Sequence, residues 1–275
     1  MKAVLYQVDA FADRVFEGNP AAIMPVEGAW PSEAVMLALA AENNLAETAF
    51  FAPEGEGDDE GFRLRWFTPT LEVDLCGHAT LATAHVLFTH LGYDKPEIRF
   101  ETRSGRLIVK REGDKLAMDF PAAKPKPYPE PAEIIAALGA RPSLWMKTAN
   151  LMAVFGSAGE VAALKPDFAA LGKLLTPLNA GLIATAPGEG AGRGEGPGID
   201  FVSRFFAPAH GIDEDPVTGS AHCTSVPYWS KKLARKDLVA RQISARGGTL
   251  WCRDAGERVV IRGRCADYMK AEISF

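Results

Sequence analysis

Asp74-Leu-Cys76-Gly77-His78-Ala-Thr80-Leu-Ala-Thr-Ala-His85-Val-Leu-Phe-Thr-His90-Leu91 is the stretch on which the fold turns. From Gly77 to about Leu91, the residues Ala79, Leu81, Ala82, Ala84, Val86, Leu87 and Phe88 cover most of a helix's circumference. A helix apolar nearly all round is enclosed. Between Leu75 and Tyr93 the run is of membrane length and carries no Asp, Glu, Lys or Arg. His78, His85 and His90, with Gly77 and Gly92, nonetheless argue for enclosure by protein rather than lipid. A second entrance of glycine and small residues, Gly219-Ser220-Ala221-His222-Cys223, opens another enclosed helix in the second half.

Working outward, Val4 to Ala10 alternates like a strand, and Glu17-Gly18-Asn19-Pro20 is turn chemistry before the apolar run Ala21 to Val26. Pro31-Ser32-Glu33 opens a helix to about Asn43. Strands are expected at Thr48–Ala52, Phe62–Phe67, Leu107–Lys110 and Leu116–Phe120, with an acidic loop from Glu54 to Gly61. Pro121 to Pro131 then places five prolines in eleven residues, the best linker in the chain. The second half repeats the theme. Short helices near Ala132–Leu138 and Phe168–Leu175 accompany strands at Met152–Phe155, Gly181–Thr185 and Ile199–Phe206, and strands return from Gln242 onward. Each half thus reads as strands, one apolar central helix, then strands, which suggests a duplicated unit.

The bulk properties agree. At 275 residues the chain is about twice the roughly 150 residues that one domain averages, so two domains are expected. The hydrophobic share of 47% and charged share of 24% are globular values. A net charge of −5, with no run of basic residues, makes nucleic acid and anionic membranes poor partners. The start meets Asp9 before any apolar signal core forms, and four cysteines without a Cys-x-x-Cys pair suit a reduced, cytoplasmic setting. Pro187 to Gly198 holds six glycines and reads as a mobile surface loop, and no nucleotide-cradling glycine motif occurs.

Three places carry polar residues in unusual company. Glu47 adjoins the apolar run Thr48-Ala-Phe-Phe51. A carboxylate desolvated there would have a raised pKa and exchange protons with a weak carbon acid, while the plainer reading makes Glu47 a helix cap or a solvated side chain. Cys76-Gly77-His78 exposes backbone N–H groups that suit an anion, with His78 either a proton donor or a satisfied structural histidine. In Asp213-Glu214-Asp215-Pro216-Val217-Thr218-Gly219-Ser220 the acids read either as helix caps or, for Asp215 held by Pro216 and close to Ser220, as functional. Cys76, His78, His85, His222 and Cys223 are metal-ligand types, but their spacings match neither a His-Glu-x-x-His helix nor paired cysteine knuckles, so no metal is expected. Cys76 as a thiol base is a separate option, whereas Cys223, Cys252 and Cys265 read as buried and inert.

Phe16-Glu-Gly-Asn-Pro-Ala-Ala22, Asn44-Leu-Ala-Glu47-Thr48, Arg65-Trp-Phe-Thr-Pro69 with Cys76-Gly-His-Ala-Thr80, and Glu214-Asp-Pro-Val-Thr-Gly-Ser-Ala-His222 together resemble the PhzF isomerase family of phenazine biosynthesis. The resemblance runs from Gln7 through Gln242–Gly248 and onward. It implies an α+β, diaminopimelate-epimerase-like fold: two similar domains, each a curved sheet or barrel around a central apolar helix, with the active site between them and usually a homodimer. The expected domains are 1–121 and 132–275 around the linker 122–131, with the last strand joining the N-terminal domain. The family's proton-shuttling glutamate falls on Glu47 and its partners on His78, Asp215 and Ser220, with Gly77, Gly219 and Cys76 at the helix entrances holding the substrate. Related epimerases use two cysteines. Here Cys76 has a place, but the matching stretch Asp215-Pro-Val217 has no sulfur. The expected function is therefore a cofactor-independent isomerase moving a proton within a small carboxylate-bearing molecule. The alternatives are a Cys76-dependent epimerase or racemase and a non-catalytic binding protein. Ala46 stands where the family commonly has serine, and Cys76-Gly-His-Ala79 suits the broad branch better than the phenazine enzyme. The resemblance thus carries the chemistry and not that enzyme's dihydro-hydroxyanthranilate substrate.

Overall fold

The computed structural model describes residues 2–55, 60–189 and 198–275. The heart of the glycine-rich loop after Pro187, and part of the acidic loop after Glu54, lie outside the described residues. The chain divides into two compact units, one made of 1–119 with 262–275 and the other of 120–261.

In the first unit Lys2–Ala10 runs antiparallel to both Asn19–Pro25 and the C-terminal strand Cys265–Ser274. The turn between the first two requires Gly18, whose φ is +68° and where a Cβ would lie 2.1 Å from the Ala10 carbonyl oxygen. Asn19–Pro25 is parallel to Glu47–Glu54, with helix α1 (Glu33–Asn43) in the crossover. Gly61–Phe67 returns antiparallel, the short strand Glu72–Val73 pairs with its end, and helix α2 (Gly77–His90) follows. Glu97–Thr102 then pairs parallel with Gly61–Phe67, and Gly105–Glu112 and Lys115–Pro121 continue antiparallel. The strand Glu97–Thr102 adds to the expected set, and its Glu-Ile-Arg-Phe-Glu-Thr sequence alternates polar and apolar as a half-buried strand does.

Helix α2 is the enclosed helix expected from its composition, with every residue from His78 to Ala84 buried. Its buried hydroxyls are satisfied within the helix: Thr80 donates to the Cys76 carbonyl at 2.6 Å and Thr83 to the Ala79 carbonyl at 2.7 Å.

The second unit repeats this order after a first short helix, α3 (Ala132–Leu138). Leu151–Val154 is parallel to Leu182–Pro187, with α4 (Ala158–Ala162) and α5 (Phe168–Leu175) in the crossover. Phe201–Ala207 returns antiparallel, the short strand Ile212–Asp215 pairs with it, and α6 (Gly219–Leu233) follows. Asp237–Gln242 is parallel to Phe201–Ala207, and Gly248–Asp254 is antiparallel to it in turn. The pairing sequence is that of the first unit, element for element. Asp213 and Glu214 therefore lie in a strand and are not the caps of α6.

The stretch 122–131 is folded onto the second unit instead of hanging as a linker. Lys126–Pro127 pairs with Leu144–Lys147, and Tyr128 N–H donates to the Trp145 carbonyl at 2.9 Å. Pro227 explains part of this. Inside α6 it supplies no N–H to the Cys223 carbonyl, and the Ala123 N–H fills that place at 3.0 Å.

Each unit also carries the same arginine–carboxylate fork. Arg65 donates to Glu72 through Nε and Nη2 at 2.8 and 2.7 Å, and Arg204 donates to Glu214 through the same atoms at the same two distances. Arg204 also donates to the carbonyl oxygens of Leu164 at 2.8 Å and Val161 at 3.3 Å. Substituting Arg204→Met strands a largely buried carboxylate and is expected to lower stability by about 3 kcal/mol. Lys2→Met, at the exposed pair with Glu272, should cost under about 1 kcal/mol. Urea unfolding midpoints of both variants check this, and equal small losses would overturn it.

Candidate active site

The first cluster forms where two chain reversals meet. Helix α1 ends at Asn44 in the left-handed region, with φ 47° and its N–H on the Ala40 carbonyl. Asn43 Nδ2 donates to Thr48 Oγ1 at 3.0 Å, so the chain passes at once into a strand whose first residue is Glu47. The Glu47 side chain is 19% exposed and its Oε2 atom is buried. It is neither a cap of the preceding helix nor a solvated surface group.

His78, in the first turn of α2, is buried with Nε2 3.2 Å from that Oε2, bent away from hydrogen-bond alignment. Its Nδ1 lies 3.5 Å from Cys76 Sγ. Burial lowers the His78 pKa to about 3, so the ring is neutral at neutral pH. A neutral ring matters chemically. An imidazolium would hold Glu47 in an ion pair and make it a weaker base. Glu47, Cys76 and His78 place three donor atoms within 4.8 Å of one another. The imidazole, however, offers its two opposite nitrogens to the thiol and the carboxylate. The two contacts therefore lie on opposite sides of one ring.

In the second unit, Thr218 Oγ1 donates a short hydrogen bond to Asp215 Oδ2. Gln242, fully buried, accepts from Thr218 N–H at 2.9 Å and donates to the Asp215 carbonyl at 2.7 Å. Ser244 Oγ donates to the Pro216 carbonyl at 2.7 Å. These bonds fix the Asp215–Thr218 turn. Gly219 follows with nothing within 4 Å of where a Cβ would stand, and Ser220 beside it is exposed.

The helix entrances correspond residue by residue. The N-cap residues are Cys76 and Thr218, both extended and neither making a side-chain capping bond. Each follows by four residues the glutamate of its fork. The counterpart of Cys76 is thus Thr218, three residues beyond Asp215, and it too lacks sulfur. Next come Gly77 and Gly219, then His78 and Ser220. His222 matches Thr80: its Nδ1 donates to the Thr218 carbonyl at 2.8 Å, as Thr80 does to Cys76. Burial lowers His222 to about 4. It is a structural donor. Glu72 and Arg204 carry no signal in the sequence, and Arg65 and Gln242 enter there only within the stretches that carry the family resemblance. A lone polar residue at a strand end carries no signal until its partner across the fold is known.

A family model described as phenazine biosynthesis-like protein matches residues 8–271. The chain belongs to the phenazine biosynthesis-like family. Within that family it is 49% identical over 273 residues to an uncharacterized isomerase of Pseudomonas aeruginosa, covering 99% of each. It superposes with a TM-score of 0.91 on a crystal structure of a PhzF family protein from Enterococcus faecalis, at 42% identity and 100% coverage of both chains. A hydroxyproline epimerase from Agrobacterium vitis, at 11% identity and a TM-score of 0.57, shares the fold. This family member therefore has the epimerase-like fold.

Two neutral buried histidines also set a pH dependence. In the unfolded chain each takes up a proton below about pH 6.5, while the folded values of about 3 and about 4 keep His78 and His222 neutral. The unfolded state then binds more protons, so stability falls as pH drops, by up to about 2.7 kcal/mol per pH unit for two groups. Urea unfolding at pH 7.0, 6.0 and 5.5, above the main carboxylate range, should show this decline. A flat profile would overturn the assignment.

Proposed function

We propose that the protein is a cofactor-independent isomerase that moves a proton within a small carboxylate-bearing molecule, with Glu47 as the acid and base. The observation that carries this reading is a carboxylate held 3.2 Å from a buried histidine that burial keeps neutral. The Glu47 carboxylate accepts a proton from an activated C–H bond and becomes a carboxylic acid, and the bonding electrons shift into the adjacent π system. Returning that proton to a different carbon restores the carboxylate and completes the isomerisation, so atoms and charge balance without a redox partner. His78 orients the glutamate. Asp215 enters through the family resemblance as the second polar group of the reaction.

The uncapped starts of α2 and α6 suit the substrate's carboxylate. Gly77, Gly219 and Ser220 lie where helix N–H groups point outward along the positive end of the helix dipole. Cys76 supports a second reading, an epimerase with a thiol base, because its sulfur faces His78. A two-thiol mechanism lacks its other member, since Thr218 holds the matching position.

Solvent exchange separates the readings. Small amino and hydroxy acids, cyclic ones included, would be incubated with the protein in deuterated buffer and followed by NMR. Glu47→Gln should slow exchange on any accepted substrate by about 100-fold or more, and Cys76→Ser should leave most of it. Exchange as fast in Glu47→Gln as in the parent would overturn the proposal. Loss on Cys76→Ser or on thiol alkylation would establish the epimerase reading. Thermal stabilisation by a ligand without any exchange would indicate a binding protein.

A further inference from the structure

The first unit holds a second cluster that the proposed reaction does not use. At the end of α2, His85 Nε2 and His90 Nε2 lie 3.1 and 2.9 Å from the same atom, Oδ1 of Asp267 on the C-terminal strand. We propose that His85, His90 and Asp267 form a binding site for a divalent transition ion of the zinc class.

Two imidazoles and a carboxylate are the donor set that zinc, nickel and copper favour over calcium or magnesium. Around a tetrahedral ion with ligands at about 2.0–2.1 Å, neighbouring donor atoms stand about 3.3 Å apart. The three donor atoms already lie within 4.8 Å of one another, and the two nitrogen–oxygen separations need to open by only a few tenths of an ångström. Asp267, 45% exposed at its side chain, leaves room for water to complete the coordination.

Both partner elements depart from regular geometry where they supply these ligands. Residues five apart on an α-helix face about 140° away from each other. Here the end of α2 is looser: Leu91 N–H bonds the Val86 carbonyl at 3.2 Å, five residues back, and Tyr93 N–H bonds Leu87 at 3.0 Å. On the strand, the register passes from Gln7 opposite Met269 to Val8 opposite Asp267, so Tyr268 is a bulged extra residue beside the ligand. Tyr6, buried, stacks on the His90 ring at 5.1 Å and 27° and fixes its orientation. The spacing of the histidines matches no familiar helical motif, and their third ligand is 177 residues further along. A scan for local ligand spacing passes over such a set.

The test uses the full chain after dialysis against a chelator. Cobalt titration should give the intense visible bands of a four-coordinate ion at one equivalent, without the thiolate charge-transfer band that binding at Cys76 would produce. In a parallel titration with diamagnetic zinc the ring resonances of His85 and His90 should shift, while those of His78, His210 and His222 stay in place. This readout needs no variant. His90→Ala and Asp267→Asn should each weaken zinc affinity by about tenfold or more in calorimetry, and Cys76→Ser should leave it unchanged. No saturable binding, a thiolate band, or affinity lost in Cys76→Ser and kept in His90→Ala would overturn the proposal.

Discussion

Each central helix starts from a turn that an arginine fork holds in place. Arg65 and Arg204 stand on strands two residues before a phenylalanine, grip Glu72 and Glu214 on the neighbouring short strand, and place their guanidinium carbons over Phe67 and Phe206, 5.2 and 4.8 Å from the ring centres. Two parallel charge-assisted bonds fix direction as well as distance. Four residues after each glutamate the chain enters its helix. Without that anchor the Cys76–His78 and Thr218–Ser220 entrances would sit on short, weakly paired strands, and Asp215, in the strand itself, would lose its aim.

The coarse fold was legible because it depends on burial, which composition records. The apolar circumference of Gly77–Leu91 announced an enclosed helix, and the segments Ala132–Leu138 and Phe168–Leu175 carry the residues found in α3 and α5. Partly exposed strands were harder. Ile212–Asp215 is four residues with one apolar side chain, and its strand character comes from pairing with Phe205 and Phe206. The prolines from 121 to 131 read as a linker because proline breaks helices and central strands. The structure uses the same property at an edge, where Lys126–Pro127 needs few donors and Ala123 supplies an N–H to the carbonyl that Pro227 releases.

Candidate site residues stand out in the sequence to the extent that their chemistry is odd in context. Glu47 beside an apolar strand and His78 in a buried turn stand out from sequence, and the structure brings them within 3.2 Å. Gln242 shows the limit. As a strand-terminal glutamine it looks ordinary, yet it bonds both the Thr218 N–H and the Asp215 carbonyl, and only the parallel pairing of Asp237–Gln242 with Phe201–Ala207 brings it there.

The two units share a plan but not their polar side chains, and one steric fact accounts for part of the difference. The strand Glu47–Glu54 corresponds to Leu182–Pro187, because Thr48 pairs with Phe67 as Leu182 pairs with Phe206. The counterpart of Glu47 is therefore Gly181. A Cβ on Gly181 would lie 2.2 Å from the ring of Phe205, so no carboxylate side chain fits there without moving a core aromatic. The first unit's counterpart of Phe205 is Trp66, buried beside Ala49 without closing the Glu47 position. With glycine in place of the glutamate and threonine in place of the cysteine, the second unit has neither of these side chains of the first. What it keeps is an acid on the short strand, Asp215, where the first unit has Val73. Both units keep a helix entrance of glycine and small residues, and in the second unit Phe205 occupies the space that a side chain at the glutamate position would need.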